Sequence, residues 1–189
     1  MGAFLLHLMR HGAPETPGLL LGRTDAAPLA SGVAACRARA EGLAVEALFS
    51  SDLVRARLAA EAIGAAQDLP MTIDPRWREL DFGAWDGLHP SAVAPDAMAA
   101  FWNDPDANPP PQGERWSALV ARVAAAIDAL EPRDTLVVTH AGAMRAALAV
   151  LCSFGHPQTW AIDLPYGALL SLKVWPGERP AGQIVGLRT

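Results

Sequence analysis

Short apolar runs alternate along this chain with longer stretches of helical spacing. Ala3–Met9 (AFLLHLM) is apolar except for His7 and stops at Arg10-His11-Gly12. A run this short, closed by polar residues, predicts a buried strand, with His7 as a core or strand-edge histidine. The segment 12–28 is rich in glycine and proline and predicts a loop. Ser31 then predicts the N-cap of a helix reaching Gly42. Ala44–Ser50 predicts a second strand, and Ser51-Asp52 a capping pair for a helix over 53–67. Met71–Ile73 predicts a third short strand, and 75–87, with its Trp, Asp and Gly residues, an irregular loop. A helix is expected over 91–103, and the prolines of 103–113 cannot continue it. Leu119, Val120, Val123, Ile127 and Leu130 share one face of a helix over 116–130. Thr135–Thr139 (TLVVT) is strongly β-prone and stops at His140-Ala141-Gly142, before a helix over 143–152. The segments 168–175 and 183–187 predict a closing pair of strands.

This alternation predicts an α/β fold: a three-layer sandwich with a mostly parallel central sheet flanked by helices. At 189 residues, one domain over 1–189 is expected. The segment 103–113 reads as a loop, not a domain boundary. The composition, 51% hydrophobic and 19% charged, is that of a soluble globular protein. A formal net charge of -5 gives no support to sequence-independent nucleic-acid binding, although a cleft can still be locally basic. Cys36 and Cys152 form neither a disulfide framework nor a zinc ligand set. They read as buried free thiols, which fits a cytoplasmic location. The apolar N-terminal run lacks a basic leader and is too short to span a membrane.

The chemistry is positional. Three predicted strands each stop at a polar cluster that opens toward a helix: Arg10-His11-Gly12, Ser50-Ser51-Asp52 with Arg55, and Thr139-His140-Ala141-Gly142. In open α/β sheets the ligand crevice lies at the carboxyl ends of the strands. Arg10, Arg55, His11 and His140 are therefore expected together, a set suited to a tetrahedral anion. Neutral imidazole is also a nucleophile. His11 is the candidate nucleophile, His140 a catalytic partner, and Glu79 the candidate acid, with Asp81 its nearest rival.

The motifs resemble those of the histidine phosphatase superfamily, the phosphoglycerate mutase-like family, over most of the chain. Leu8-Met9-Arg10-His11-Gly12 is similar to the family's Arg-His-Gly motif, in which that histidine becomes phosphorylated. The string 50–57 (SSDLVRAR) is similar to its phosphate-binding arginine segment, with Asp52 where proline is usual. The string 79–87 (ELDFGAWDG) resembles the acid-bearing loop, and 139–145 (THAGAMR) the second-histidine motif. The resemblance implies a phosphoglycerate mutase-like fold, no metal or other cofactor, and a small-molecule phosphomonoester as substrate. It implies that Arg10, Arg55 and His140 hold the phosphoryl group and that Glu79 serves as acid and then as base. Gly22-Arg23-Thr24-Asp25 and the Trp102-Asn103-Asp104-Pro105 insertion resemble the α-ribazole phosphatase branch, which places Arg23, Asn103 and Glu114 near the rest of the substrate.

A mutase returning the phosphoryl group to another hydroxyl is the alternative, and a non-catalytic phospholigand-binding module a further one. The chain stops soon after its last predicted strand, which favours water as acceptor. The five histidines, His7, His11, His89, His140 and His156, show no metal-ligand spacing. His89 and His156 precede prolines and are expected to be exposed. A serine hydrolase lacks its Gly-x-Ser-x-Gly elbow. Trp102, Trp116, Trp160 and Trp175 suit either a core or an interface, and a homodimer stays open.

Overall fold

The structure is a computed structural model and describes residues 2–189. Six strands form one sheet: β1 (Phe4–Arg10), β2 (Ala47–Ser50), β3 (Met71–Ile73), β4 (Thr135–Thr139), β5 (Leu169–Trp175) and β6 (Ala181–Arg188). Their order is β3-β2-β4-β1-β5-β6. The first four are mutually parallel, and β5 and β6 add an antiparallel edge. The helices are α1 (Ala30–Ala40), α2 (Val54–Gln67), α3 (Pro95–Asn103), α4 (Trp116–Asp128), α5 (Ala141–Cys152) and the single turn α6 (His156–Thr159).

Period-two alternation assigns strand side chains to the two faces. Phe4, Leu6 and Leu8 of β1 and Val137 of β4 enter a core shared with α3, α4 and α5. Met9, Leu136 and Val138 point the other way, into a core shared with α1 and α2. The sheet is thus covered on both sides, as its near-continuous apolar parallel strands require. His7 is a core histidine, 5% exposed, with Nδ1 2.8 Å from Ser171 Oγ. Cys36 is a buried free thiol, whereas Cys152 is only half-buried.

Register sets the site. Arg10 of β1 pairs with Thr139 of β4, and Ser50 of β2 pairs with Val138. His11, Ser51 and His140 therefore leave adjacent strands at the carboxyl end of the sheet. Gly12 is needed there because a β-carbon would overlap the backbone of Gly32 in α1.

The helix starts depart from expectation where contacts from distant segments stand in for local side-chain caps. Helix α1 begins at Ala30 and has no side-chain cap, because Leu29 N–H is drawn to Ala13 O (2.9 Å). Ser31 sits exposed in the first turn. For α2, Val54 N–H is capped by Asp25 from the distant first loop (2.6 Å), while Ser51 Oγ accepts from Leu53 N–H (3.3 Å). The helix expected over 91–103 is split into a 3₁₀ turn, Pro90–Ala92, and α3. Pro95 disfavours helical geometry at Ala94 and takes the first helical position itself. Helix α5 begins two residues earlier than expected, so His140 is its N-cap.

Candidate active site

His11 and His140 face each other with ring centroids 5.0 Å apart. Both are buried, at 5% and 0% exposure. His11 Nδ1 lies 2.7 Å from Gly12 O. A carbonyl only accepts, so Nδ1 carries the ring proton and Nε2 keeps its lone pair. Ser51 Oγ accepts from Leu53 N–H and lies 2.9 Å from His140 Nε2. The roles across that contact follow the His140 tautomer, and the other ring nitrogen, Nδ1, is buried with no partner.

The guanidinium groups are clustered and poor in counter-ions. Arg10 donates through one terminal nitrogen to Leu164 O (2.6 Å) and lies 4.0 Å over the Tyr166 ring. Arg55 is fully buried and donates to Thr24 O, Leu21 O and Gly22 O at 2.8, 2.7 and 3.1 Å. It both holds the first loop and backs the histidine pair. The Nε atoms of Arg10, Arg55 and Arg145 are buried and unpartnered, as is His140 Nδ1. A buried donor left unpaired costs about 1–3 kcal/mol. Such a concentration of cationic donors suits an anion.

Burial and charge agree on the histidines. Desolvation, then the Arg55 charge, push His11 down to about 3, against the opposing pull of the Gly12 carbonyl. Desolvation and the same guanidinium hold His140 well below the ordinary imidazole range. Burial likewise lowers Arg10, Arg55 and Arg145 from their usual values.

Glu79 reaches the pair from the loop after β3. Its Oε1 accepts from Leu80 N–H (2.9 Å), and Oε2 from Gly142 N–H in the first turn of α5 (3.1 Å). A β-carbon on Gly142 would overlap Glu79 Oε1, so this glycine makes the approach possible. Arg122 of α4 grips the same loop: it donates to Arg76 O, Arg78 O and Glu79 O at 2.8, 2.7 and 2.7 Å. Thr139 Oγ1 donates to Trp77 O (2.6 Å), and Asp52 pairs with Arg78. That hydrogen bond holds the Asp52 carboxyl below its usual range. The unusual Asp52 is thus a tie between the start of α2 and the acid loop.

A cleft of about 190 Å³ opens over Arg10, His11 and Glu79. Of the expected residues, His140 and Arg55 lie behind it. Asp81, the rival acid, is outside its lining and is taken up by Arg23 Nε (2.7 Å) and Gly83 N–H. The three substrate candidates sit outside this lining. Arg23 is exposed on that ion pair, and Asn103 is exposed as the last residue of α3. Glu114 is engaged by Arg122 (2.7 Å). None of the three lines the cleft. His156, expected to be exposed, is half-buried and does line it. Arg122, Arg145, Ser51 and Tyr166 were not singled out from sequence. Arg145 and Ser51 do lie inside the quoted motifs. Among the described residues, no group of three or more His, Cys, Asp or Glu side chains is placed to hold a metal. Among them, no helix is long and apolar enough to cross a membrane.

A doubly covered α/β sheet with paired histidines over a cationic floor defines an enzyme that works on a phosphoryl group. The chain belongs to the histidine phosphatase superfamily (branch 1), whose model matches residues 6–183. It is 25% identical over 184 residues to the adenosylcobalamin/alpha-ribazole phosphatase of Salmonella typhimurium, covering 91% of each chain. The mycobacterial glucosyl-3-phosphoglycerate phosphatase superposes with a TM-score of 0.85 at 26% identity, covering 97% of both chains. A protein of Thermus thermophilus superposes at 0.77 with 30% identity, over 98% of this chain and 99% of that one. This chain is accordingly a phosphomonoester hydrolase of the histidine phosphatase type.

Proposed function

We propose that the chain, as a single domain over 1–189, hydrolyses a small phosphomonoester through a phosphohistidine formed on His11 without a metal ion. The observation that carries this is the free Nε2 of His11 among buried, unpartnered nitrogens of Arg10, Arg55 and His140. In the first step the Nε2 lone pair attacks phosphorus, the ester P–O bond breaks, and Glu79 gives its proton to the departing alkoxide. In the second, water attacks phosphorus, Glu79 takes a proton from that water, and the P–N bond returns its electrons to His11. The donors stabilise charge on the equatorial oxygens throughout.

α-Ribazole 5′-phosphate is the leading substrate, supported by the relatives named for it and by the resembling motifs. A cytoplasmic location is supported by the free thiols. The net charge of -5 speaks against nucleic acid as a partner. A homodimer is a further proposal, consistent with exposed Ile184, Val185 and Leu187 on edge strand β6.

A panel of α-ribazole 5′-phosphate, phosphoglycerates and sugar phosphates tests the reading. Release of inorganic phosphate in the presence of strong chelator is expected. Isomerisation of a phosphoglycerate with negligible hydrolysis would make it a mutase, and metal-restorable loss in chelator would refute metal independence.

A further inference from the structure

Above the phosphate floor the cleft is walled by rings. Phe101 and Trp102 come from the end of α3, Trp116 from the start of α4, and His156 and Trp160 from α6 and the residue after it. Neighbouring rings meet edge to face. Phe101 to Trp102 is 5.0 Å, Trp102 to Trp160 is 4.8 Å at 89°, and Trp116 to His156 is 5.0 Å. Mutual packing holds these rings in place before any ligand arrives. Arg145 lies 3.8 Å over Trp160 and fixes that indole further. Yet Trp102 and Trp160 keep 41% and 47% of their surface exposed. A continuous apolar surface left open beside a reactive group marks a binding groove rather than stray surface residues.

What the wall lacks is equally informative. Among the described residues, no Ser, Thr, Asn, Gln or Asp side chain lines the cleft. A polyhydroxy leaving group would surrender its water there and find few partners, which selects against it. A flat ring instead gains apolar contact with the indoles and tilted ring geometry of the kind aromatic groups prefer.

We infer that this wall is a leaving-group subsite, selecting phosphomonoesters whose alcohol carries a planar unsaturated ring, as in a nucleoside 5′-monophosphate. The inference rests on the hydrolase reading and adds Trp102 and Trp160 as specificity-determining residues. α-Ribazole 5′-phosphate, which carries a fused aromatic base, belongs to this class but is not the sole member the wall would accept.

The test compares substrates that each release a primary alkoxide: adenosine 5′-monophosphate against ribose 5-phosphate, and benzyl against n-butyl phosphate. The ring-bearing member of each pair is expected to have the higher kcat/KM, by about tenfold or more. Trp102→Ala and Trp160→Ala should each collapse that ratio toward one, and Trp102→Phe should retain most of it. A wild-type ratio at or below one, or Ala and Phe variants that slow both members of a pair alike, would overturn the subsite. A binding arm separates this from failure of the hydrolase reading. On His11→Ala protein, adenosine 5′-monophosphate should quench tryptophan fluorescence and be displaced by inorganic phosphate, with ribose 5-phosphate binding about tenfold more weakly. Quenching without turnover of any substrate by the wild type would sink the hydrolysis and keep the subsite. Equal binding of the two ligands would sink the subsite alone.

Discussion

The floor and the wall of the cleft are built on opposite terms. The floor comes from the ends of β1, β2 and β4, whose mutual register is fixed by the sheet, and its groups are buried, polar and charged. The wall comes from helix ends and loops outside the sheet, and its indoles are apolar and half in water. Preorganised charge is what a phosphoryl transition state rewards, and the rigid carboxyl end of the sheet supplies it. Choosing an alcohol needs only shape and apolar contact, which loops can vary without disturbing the chemistry. The two regions should therefore respond differently to substitution: kcat belongs to the floor, discrimination between substrates to the wall.

The largest expected effect is at the proposed nucleophile. His11→Ala should lower kcat by about 10⁴ or more while weakening phosphate binding only modestly, as read by steady-state kinetics and calorimetry. Turnover close to wild type would move the covalent step elsewhere. Next comes Gly142→Ala. Its β-carbon would displace the Glu79 carboxylate, and loss of a positioned general acid costs about 10²–10⁴. The fall should appear in kcat with little change in thermal stability, and an unaltered kcat would remove Glu79 from the proton transfer.

Arg122 tests how the acid is held. Arg122→Met frees the carbonyls of Arg76, Arg78 and Glu79 and strands Glu114. Breaking a partly buried pair of this kind costs about 3 kcal/mol of stability, measurable by urea unfolding, with a smaller drop in kcat than Gly142→Ala gives. A variant equal to wild type in both would mean the loop holds itself.

The most gradual effect is on pH. An unfolded histidine titrates near about 6.5, whereas folded His11 sits at about 3 and His140 is lowered too. Between those values the unfolded chain binds the additional protons, so stability falls as pH drops through the window. Each such histidine contributes up to about 1.4 kcal/mol per pH unit. Within the folded state His11 stays neutral, so its ring resonances should not move between about pH 7 and 5. A midpoint near about 6.5 would show a solvated, ordinary imidazole.

Legibility in the sequence followed the same divide. Arg10-His11-Gly12 and 139–142 were readable because strand, catalytic group and helix start lie in one continuous string. Arg55 was readable as a site residue, but its carbonyl partners Leu21, Gly22 and Thr24 lie over thirty positions away. Glu79 and Asp81 are not ranked by local sequence; what separates them is contact across the fold, Asp81 pairing with Arg23 while Glu79 lines the cleft. Arg122 left no local trace, since a basic residue on an amphipathic helix reads as a solvated one, and the carbonyls it binds are 43–46 residues distant. Tyr166 stands 5.5 Å from His11 through the turn before β5, which no motif marks. The tryptophans were visible as residues, but their common wall exists only once α3, α4 and α6 are brought together. The ion pairs of Arg23 and Glu114 and the exposure of Asn103 are tertiary properties that the motifs around them do not encode.

The covalent step is tested most directly by rapid mixing with substrate, quenching into alkali and mapping the phosphoryl group by mass spectrometry. A single phosphoryl group on His11, formed before inorganic phosphate is released and absent from His11→Ala, is the expected result. Phosphate release at full rate with no phosphorylated His11 at any time, or with the group on another residue, would contradict the account.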